Sequence, residues 1–124
     1  MSEPLAGVVI AHGSLAEALV REVERISGVT GALRAVSNTG LGAPELEERL
    51  RNTVGEGPAV LFVDMPCGSC FFAAMRLERT LPGVRVVTGV NLPMLLDFVN
   101  NRSLVPPESA ARCATKGSDA IRHP

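Results

Sequence analysis

The chain has 124 residues, of which 46% are hydrophobic, and this is enough for one domain with its own core. A net charge of −1 and an aromatic content of 3% provide neither the positive charge nor the stacking side chains that nucleic-acid binding requires. Three cysteines, an acidic N-terminus and no apolar run near the roughly 18 residues of a membrane span argue against a secreted or membrane-spanning chain. We therefore expect one cytoplasmic domain over residues 1–124.

The first apolar segment, Gly7-Val-Val-Ile-Ala-His-Gly-Ser14, predicts a buried parallel strand that ends at His12. Ser14 and Glu17 have the spacing of a helix capping box, and Gly28 has the character of a helix end. Between them, the apolar residues recur at helical spacing and predict one buried face: Leu15, Leu19, Val23 and Ile26.

The next strand–helix pair is less apolar. Residues 31–37 predict a weaker strand nearer the sheet edge, and the glycine-containing segment 38–42 predicts a loop. Pro44 suits the first turn of a helix that ends at Gly55. The buried stripe of this helix is predicted to consist of Leu46, Leu50 and Val54.

A second strongly apolar strand covers residues 58–63 and ends at Asp64. The loop 65–69 leads from it into a helix that ends at Pro82-Gly83. The apolar residues that this helix carries are Phe72, Met75, Leu77 and Leu81.

The last third of the chain predicts one more strand and two helices. Residues 84–88 form the strand, which Gly89 closes. Asn91 is placed to cap a helix whose apolar residues include Met94, Leu95, Phe98 and Val99. Pro106-Pro107 opens an alanine-rich helix that fades at Lys116-Gly117.

This alternation predicts an α/β fold: a single three-layer domain with a mostly parallel sheet of about four strands and helices on both faces. The first and third strands are the most apolar, so we place them at the centre in the order 2-1-3-4. The carboxyl ends of these two strands then flank the topological switch point. His12 and Asp64 are expected to lie there side by side.

A histidine beside a carboxylate at this position is suited to nucleophilic chemistry. The carboxylate holds the nitrogen that donates a proton and frees the other nitrogen to attack. The helix starts that follow the two strands offer backbone N–H groups at Gly13, Ser14, Ser69 and Cys70, and helix N-termini favour anions. A phosphoryl group on His12 would therefore be well received, with Asp64 behind the ring.

Three segments together resemble the IIA component of the mannose/fructose-class phosphoenolpyruvate-dependent sugar phosphotransferase system. Val8-Val-Ile-Ala-His-Gly13 is similar to the family's phosphorylation-site strand, and Val63-Asp-Met-Pro-Cys-Gly-Ser69 to its Asp-x-x-Gly-Gly-Ser loop. Gly89-Val-Asn-Leu-Pro-Met-Leu-Leu96 is the most specific of the three. The resemblance covers roughly residues 7–121, nearly the whole chain.

The resemblance implies a phosphotransferase without a cofactor or metal. His12 would accept a phosphoryl group from phospho-HPr and pass it to a IIB component, Asp64 would orient His12, and Ser69 would lie at the site. We assign phosphoryl binding to Gly13, Ser14, Gly68 and Cys70. The family further implies a homodimer and allows association with the membrane IIC and IID components.

The chain departs from the family pattern mainly in the loop that faces the histidine. Ala11 replaces a small hydroxyl residue before His12, and Pro66 and Cys67 replace an aromatic residue and the first glycine. Cys70 and Phe72 stand where the family usually has proline and asparagine. His12, Asp64, Gly68 and Ser69 are retained.

Two alternatives remain open at this point. Cys67-Gly-Ser-Cys70 is a C-x-x-C at a predicted helix start, a setting that supports thiol redox chemistry. A phosphorylatable domain can also serve as a regulatory switch without a transport role, because one phosphoryl group adds nearly two charges to a surface cleft.

Overall fold

The computed structural model describes residues 4–124, and within them four strands and five helices follow one another along the chain. The strands are β1 (Ala6–Ala11), β2 (Leu33–Ser37), β3 (Ala59–Val63) and β4 (Val84–Thr88). The helices are α1 (Leu15–Ser27), α2 (Ala43–Val54), α3 (Ser69–Thr80), α4 (Leu92–Val99) and α5 (Pro106–Asp119). None of the described helices is long and apolar enough to cross a membrane.

The four strands form one parallel sheet in the order β2-β1-β3-β4, which confirms the predicted topology. Ile10 of β1 is in register with Val36 of β2 on one side and with Val63 of β3 on the other. Because parallel strands end at the same edge, the residues that follow β1 and β3 emerge next to each other.

The central strands are apolar throughout because both faces of the sheet are covered. In β1, Val9 and Ala11 belong to the core beneath α1, α4 and α5, whereas Val8 and Ile10 belong to the core beneath α2 and α3. Phe62 and Phe98 meet edge to face in the first core, with ring centroids 5.2 Å apart. The sheet therefore lies between two separate cores. Its carboxyl edge, where the strands end, is available for a functional site.

The buried face of α1 differs from the predicted one. Leu15 and Ile26 are exposed, whereas Ala16 and Val23 are buried. The face that contacts the sheet therefore keeps Val23 and the partly buried Leu19 but includes Ala16 in place of Leu15. The predicted capping box was also wrong, since Ser14 makes no side-chain cap hydrogen bond.

Phe72 lies in α3 as predicted and is 60% exposed. The face of α3 that contacts the sheet consists of smaller residues together with one leucine: Cys70, Ala73, Ala74 and Leu77. Small side chains let the helix lie close to the strands, and the bulky phenylalanine points away from them.

The start of α4 was predicted correctly, and it is joined to α5. Oδ1 of Asn91 accepts a hydrogen bond from the backbone N–H of Met94 at 3.1 Å, and Nδ2 donates to the carbonyl of Gly117 at 3.0 Å. A Cβ at Gly117 would lie 2.5 Å from Cε of Met94. This glycine allows close helix contact, so α5 continues to Asp119 and does not fade at Lys116-Gly117 as predicted.

Candidate functional site

His12 and Asp64 meet at the carboxyl edge of the sheet, as the predicted strand order required. Nδ1 of the imidazole lies 2.7 Å from Oδ2 of Asp64, and the backbone N–H of His12 donates to the same oxygen at 3.0 Å. The histidine side chain is 42% exposed and the carboxylate only 9% exposed. Asp64 thus holds the ring from the protein side, and the ring remains accessible from outside.

The electrostatics of Asp64 fix the roles of the two ring nitrogens of His12. Burial raises the pKa of Asp64, but other contacts outweigh it and lower the pKa below its ordinary value. These contacts are hydrogen bonds from the backbone and ring of His12, the charge of His12 and a hydrogen bond from the backbone N–H of Met65. An ionised carboxylate only accepts hydrogen bonds, so Nδ1 of His12 is the donor. The neutral ring then carries its free lone pair on Nε2.

Gly68 lies against the free edge of the imidazole. A Cβ on this glycine would lie 3.7 Å from both Nε2 and Cε1 of His12, and its φ of +89° belongs to a region that favours glycine. The glycine therefore allows the backbone to turn into α3 while it leaves room beside Nε2.

The turn between β1 and α1 is held by two residues that were not predicted to belong to the site: Ser37 at the end of the predicted second strand and Asn38 in the loop that follows it. Oδ1 of Asn38 accepts a hydrogen bond from the backbone N–H of Gly13 at 3.2 Å, and the hydroxyl of Ser37 donates to the carbonyl of Gly13 at 2.7 Å. Ser37 ends β2 and Asn38 follows it, so their place beside the His12 turn follows from the strand order. The predicted strand order was therefore the feature of the sequence from which the place of these two residues could have been inferred.

The start of α3 presents backbone N–H groups toward the site edge of the sheet. The first intrahelical bond runs from the N–H of Phe72 to the carbonyl of Gly68, so the N–H groups of Ser69 and Cys70 precede it and have no partner within the helix. Such groups at a helix N-terminus favour an anion. Of the predicted N–H donors, that of Gly13 is already engaged by Asn38.

Cys70 lies beneath the histidine, with Sγ 4.0 Å from Nδ1 of His12. Burial and the nearby charge of Asp64 raise the pKa of the Cys70 thiol to about 11, although a hydrogen bond with Ser69 acts in the opposite direction. At neutral pH this thiol stays protonated, and a protonated thiol is a poor nucleophile. Cys67 is exposed, and both cysteines are free thiols.

Comparison with known proteins identifies the family. The family model described as "PTS system fructose IIA component" matches residues 7–112. The sorbose-specific EIIA component of the phosphotransferase system of Klebsiella pneumoniae is 31% identical over 98 residues, which cover 77% of this chain and 73% of that protein. The chain belongs to the mannose-class IIA family of the sugar phosphotransferase system.

Solved structures agree with this IIA fold. The mannose/sorbose-specific IIA subunit from Enterococcus faecalis superposes with a TM-score of 0.84 at 24% identity, over 98% of this chain and 96% of that one. The component EIIA from Streptococcus agalactiae gives a TM-score of 0.88 at 18% identity, over 96% of both chains. At these identities the superpositions show the shared fold.

Family membership makes this protein a phosphotransferase that takes part in sugar transport through phosphoryl transfer. It also implies interaction with HPr and with a IIB component. The regulatory and thiol-redox alternatives are not favoured by these matches, and the protonated state of Cys70 argues further against the second.

Two further residues predicted for the site, Ser69 and Ser14, are both exposed. Ser69 is exposed at the first position of α3 and faces a groove of about 270 Å³ between α2 and α3. Ser14 is exposed before α1. The groove is lined by residues that include Phe72, Glu47 and Arg76, and the last two form an ion pair at 3.4 Å.

Among the described residues, one group of metal-ligand side chains lies close together. One ligand atom from each of His12, Asp64 and Cys70 lies within 4.8 Å of the other two. Cys113 is buried in the core beneath α5, and His123 is exposed beyond the end of that helix.

Proposed function

We propose that Nε2 of His12 is the atom that accepts the phosphoryl group from phospho-HPr and later passes it to a IIB component. The observation that carries this proposal is the 2.7 Å contact between Nδ1 of His12 and the carboxylate of Asp64. It leaves Nε2 as the accessible lone pair of a partly exposed ring. A ring turned the other way would direct its N–H at Asp64 through Nε2 and expose Nδ1 instead, so the observed orientation decides which nitrogen attacks.

The transfer balances as a simple displacement. The lone pair of Nε2 attacks phosphorus, a nitrogen–phosphorus bond forms, and the bond from phosphorus to its donor atom on HPr breaks with its electron pair left on that donor. Positive charge develops on the imidazole during the attack. Asp64 stabilises this charge through the Nδ1–H hydrogen bond and stays ionised throughout. The reverse sequence delivers the group to the IIB component.

The phosphoryl oxygens have suitable partners close to Nε2. Gly68 lies beside this edge of the ring, and the N–H groups of Ser69 and Cys70 open α3 directly after it. We assign these positions, together with the exposed Ser14 at the start of α1, to binding of the transferred group. Gly13 contributes through its turn, since its own N–H donates to Asn38.

We propose further that exposed apolar side chains next to the site form the docking surface for the protein partners. Leu15, Met65 and Phe72 are all exposed, and each lies within a few residues of His12, Asp64 or Gly68 in the chain. Exposed large apolar side chains at a reactive centre favour contact with another protein. Both HPr and the IIB component have to reach Nε2, so they would use the same surface in turn.

The assembly and location of the protein are also proposals. We infer one domain over residues 1–124 that acts in the cytoplasm as a homodimer and associates with membrane IIC and IID components during transport. Ile26 and Val105 are exposed apolar residues away from His12 in the chain and offer contacts for a second copy. Analytical ultracentrifugation checks the dimer: a single species of monomer mass at high concentration would contradict it.

The test of phosphoryl transfer uses the chain's two histidines. The protein is incubated with phosphoenolpyruvate, enzyme I and a cognate HPr, and its intact mass is measured. We expect one acid-labile phosphoryl adduct in the wild type and in His123→Ala, and none in His12→Ala. An adduct that survives His12→Ala, or no adduct on the wild type, would overturn the proposal.

A further inference from the structure

The thiol of Cys70 has no part in the proposed transfer, yet it lies where the reacting groups meet. Its Sγ is 4.0 Å from Nδ1 of His12, which in turn is 2.7 Å from Oδ2 of Asp64. One ligand atom from each of the three side chains lies within 4.8 Å of the other two. Imidazole nitrogen, carboxylate oxygen and thiolate sulfur are ligand types that zinc accepts.

The spacing of these atoms is close to that of a zinc site. Zinc bonds of about 2.0–2.3 Å in tetrahedral geometry hold ligand atoms roughly 3.3–3.7 Å apart. The separation between Nδ1 of His12 and Sγ of Cys70 is slightly larger than this, and that between Nδ1 and Oδ2 of Asp64 is smaller. The carboxylate oxygen and the sulfur lie within 4.8 Å of each other, so side-chain adjustments on the order of 1 Å are needed to bring all three atoms to bonding distance of one ion.

We propose that His12, Asp64 and Cys70 form a binding site for Zn²⁺, and that the bound ion blocks phosphoryl acceptance at His12. Three protein ligands with one open position form the arrangement of an accessible zinc site. Asp64 and Cys70 are nearly or fully buried, so the ion has to enter past the partly exposed ring of His12. The binding stands on geometry alone, whereas the block rests on the proposed role of Nε2.

The protons account for the block. In the metal-free state the neutral ring carries its proton on Nδ1, which donates to Asp64. When Zn²⁺ takes the lone pair of Nδ1, the ring proton moves to Nε2, and the thiol releases its proton to solvent. Nε2 then has no lone pair with which to attack phosphorus. Binding of one ion thus converts Nε2 of His12 from a nucleophile into a protonated nitrogen.

The charges at the site match a divalent cation. Asp64 is ionised, and the thiolate of Cys70 supplies a second negative charge once the metal binds. Burial disfavours this thiolate in the free protein, but a coordinated thiol is deprotonated by the metal itself. The positive charge of the ion therefore compensates both anions.

Cobalt reports the thiolate directly. The full chain is reduced with a phosphine, freed of metal and titrated with Co²⁺. The titration follows the near-ultraviolet charge-transfer absorption from thiolate to Co²⁺. Zn²⁺ is then added to displace the bound Co²⁺. We expect one ion per chain, a charge-transfer band and full displacement by Zn²⁺. The absence of a thiolate band in the wild type would overturn the site.

Cysteine variants identify the sulfur. Cys70→Ser should lose the band and weaken Zn²⁺ binding by at least about tenfold. The double variant Cys67→Ser/Cys113→Ser leaves Cys70 as the one cysteine and should keep the band, so the test stands even if Cys70→Ser folds poorly. A band that persists in Cys70→Ser, or one that disappears in the double variant, would contradict the assignment.

A second measurement tests the block. Phosphoryl uptake from phospho-HPr is measured in a single turnover, with and without Zn²⁺, after enzyme I has been removed. Uptake with Zn²⁺ should be at least about tenfold slower than uptake without it for the wild type and the double cysteine variant. For Cys70→Ser the slowing by Zn²⁺ should be much smaller. If Co²⁺ binds as expected while no variant accepts phosphoryl, the proposed function fails and the metal site stands. Equal inhibition of all three proteins would overturn the block.

Discussion

The site is built from two strand-to-helix turns that differ in how they are held. The turn after β1 is short: His12, Gly13 and Ser14 separate the strand from α1, and Ser37 and Asn38 clamp it from the neighbouring strand end. The turn after β3 runs from residue 64 to residue 68 and is mostly exposed at its centre. Its described side-chain tether is Asp64, which accepts from Met65 and from His12.

This difference indicates that the two turns have different roles at the site. The clamped turn fixes the histidine backbone, and the longer turn supplies the carboxylate of Asp64 and the glycine beside Nε2. Chemistry at His12 therefore depends on the second turn more than on the first. Substitutions at Asp64, Gly68 and Asn38 measure this dependence.

Asp64→Asn should have the largest effect. The asparagine removes the negative charge that stabilises the imidazole as phosphorus bonds to Nε2, and its amide allows the ring to adopt the other tautomer. We expect phosphoryl uptake from phospho-HPr to slow by about 10²- to 10⁴-fold, as measured by rapid quench and intact mass.

Asp97→Asn is the matched control for that change. Asp97 pairs with Arg112 at 2.8 Å on another part of the surface, so the same loss of a paired carboxylate occurs away from the histidine. Its uptake rate should stay within about twofold of the wild type, in line with the small contribution of an exposed pair. Similar slowing in both variants would mean that Asp64 acts through general stability.

Gly68→Ala should have an intermediate effect. The residue has φ +89° and ψ −177°, a conformation nearly reserved for glycine, where a side chain costs about 1–3 kcal/mol of folding free energy. The new methyl group would also lie 3.7 Å from Nε2, in the space that the incoming phosphoryl group needs. We expect uptake to slow by about tenfold, because small misplacements at a reacting centre carry large rate costs.

Gly55→Ala separates the two causes. Gly55 ends α2 with φ +71° and ψ −144°, close to the conformation of Gly68, and a methyl group added there would meet nothing within 4 Å, so the strain is similar and the site is untouched. Both variants should lose comparable stability in urea unfolding, and only Gly68→Ala should slow uptake. Equal rates for the two would remove Gly68 from the site.

Much of this arrangement could be predicted from the sequence because continuous apolar strands reveal a doubly covered sheet. The strand order followed from which strands were most apolar, and that order alone placed His12 beside Asp64. The identity of the residues that end two adjacent strands is thus readable from pattern alone.

Side-chain direction was harder to predict than topology. Leu15 and Phe72 were assigned to helices correctly, but their exposure depends on how each helix is rotated against the sheet, which small residues such as Ala16 and Ala73 decide. The clamp on Gly13 was missed for a similar reason. The hydrogen bond that Asn38 accepts from Gly13 depends on the course of a loop, and composition predicts only that the loop exists.

Asn38→Ala should have the smallest effect and tests the clamped turn itself. The variant loses the 3.2 Å hydrogen bond to the backbone N–H of Gly13 while Ser37 still holds the carbonyl, so we expect about 0.5–1.5 kcal/mol of lost stability in urea unfolding. Uptake should change by less than about threefold, because the 2.7 Å contact with Asp64 remains to orient the ring.

Asn100→Ala is its control, since Asn100 also makes one exposed side-chain hydrogen bond to the backbone, in which its amide donates to the carbonyl of Leu96 at 3.1 Å. Equal stability loss with equal uptake in the two variants would agree with a clamp that sets only the backbone. A loss of uptake in Asn38→Ala as large as that in Gly68→Ala would reverse the comparison, because the short turn would then control the reactivity of His12 as strongly as the long one. In Asn38→Ala the N–H of Gly13 loses its acceptor and could donate to the phosphoryl group instead. Faster uptake in this variant would mean that Asn38 competes with the phosphoryl group for this donor.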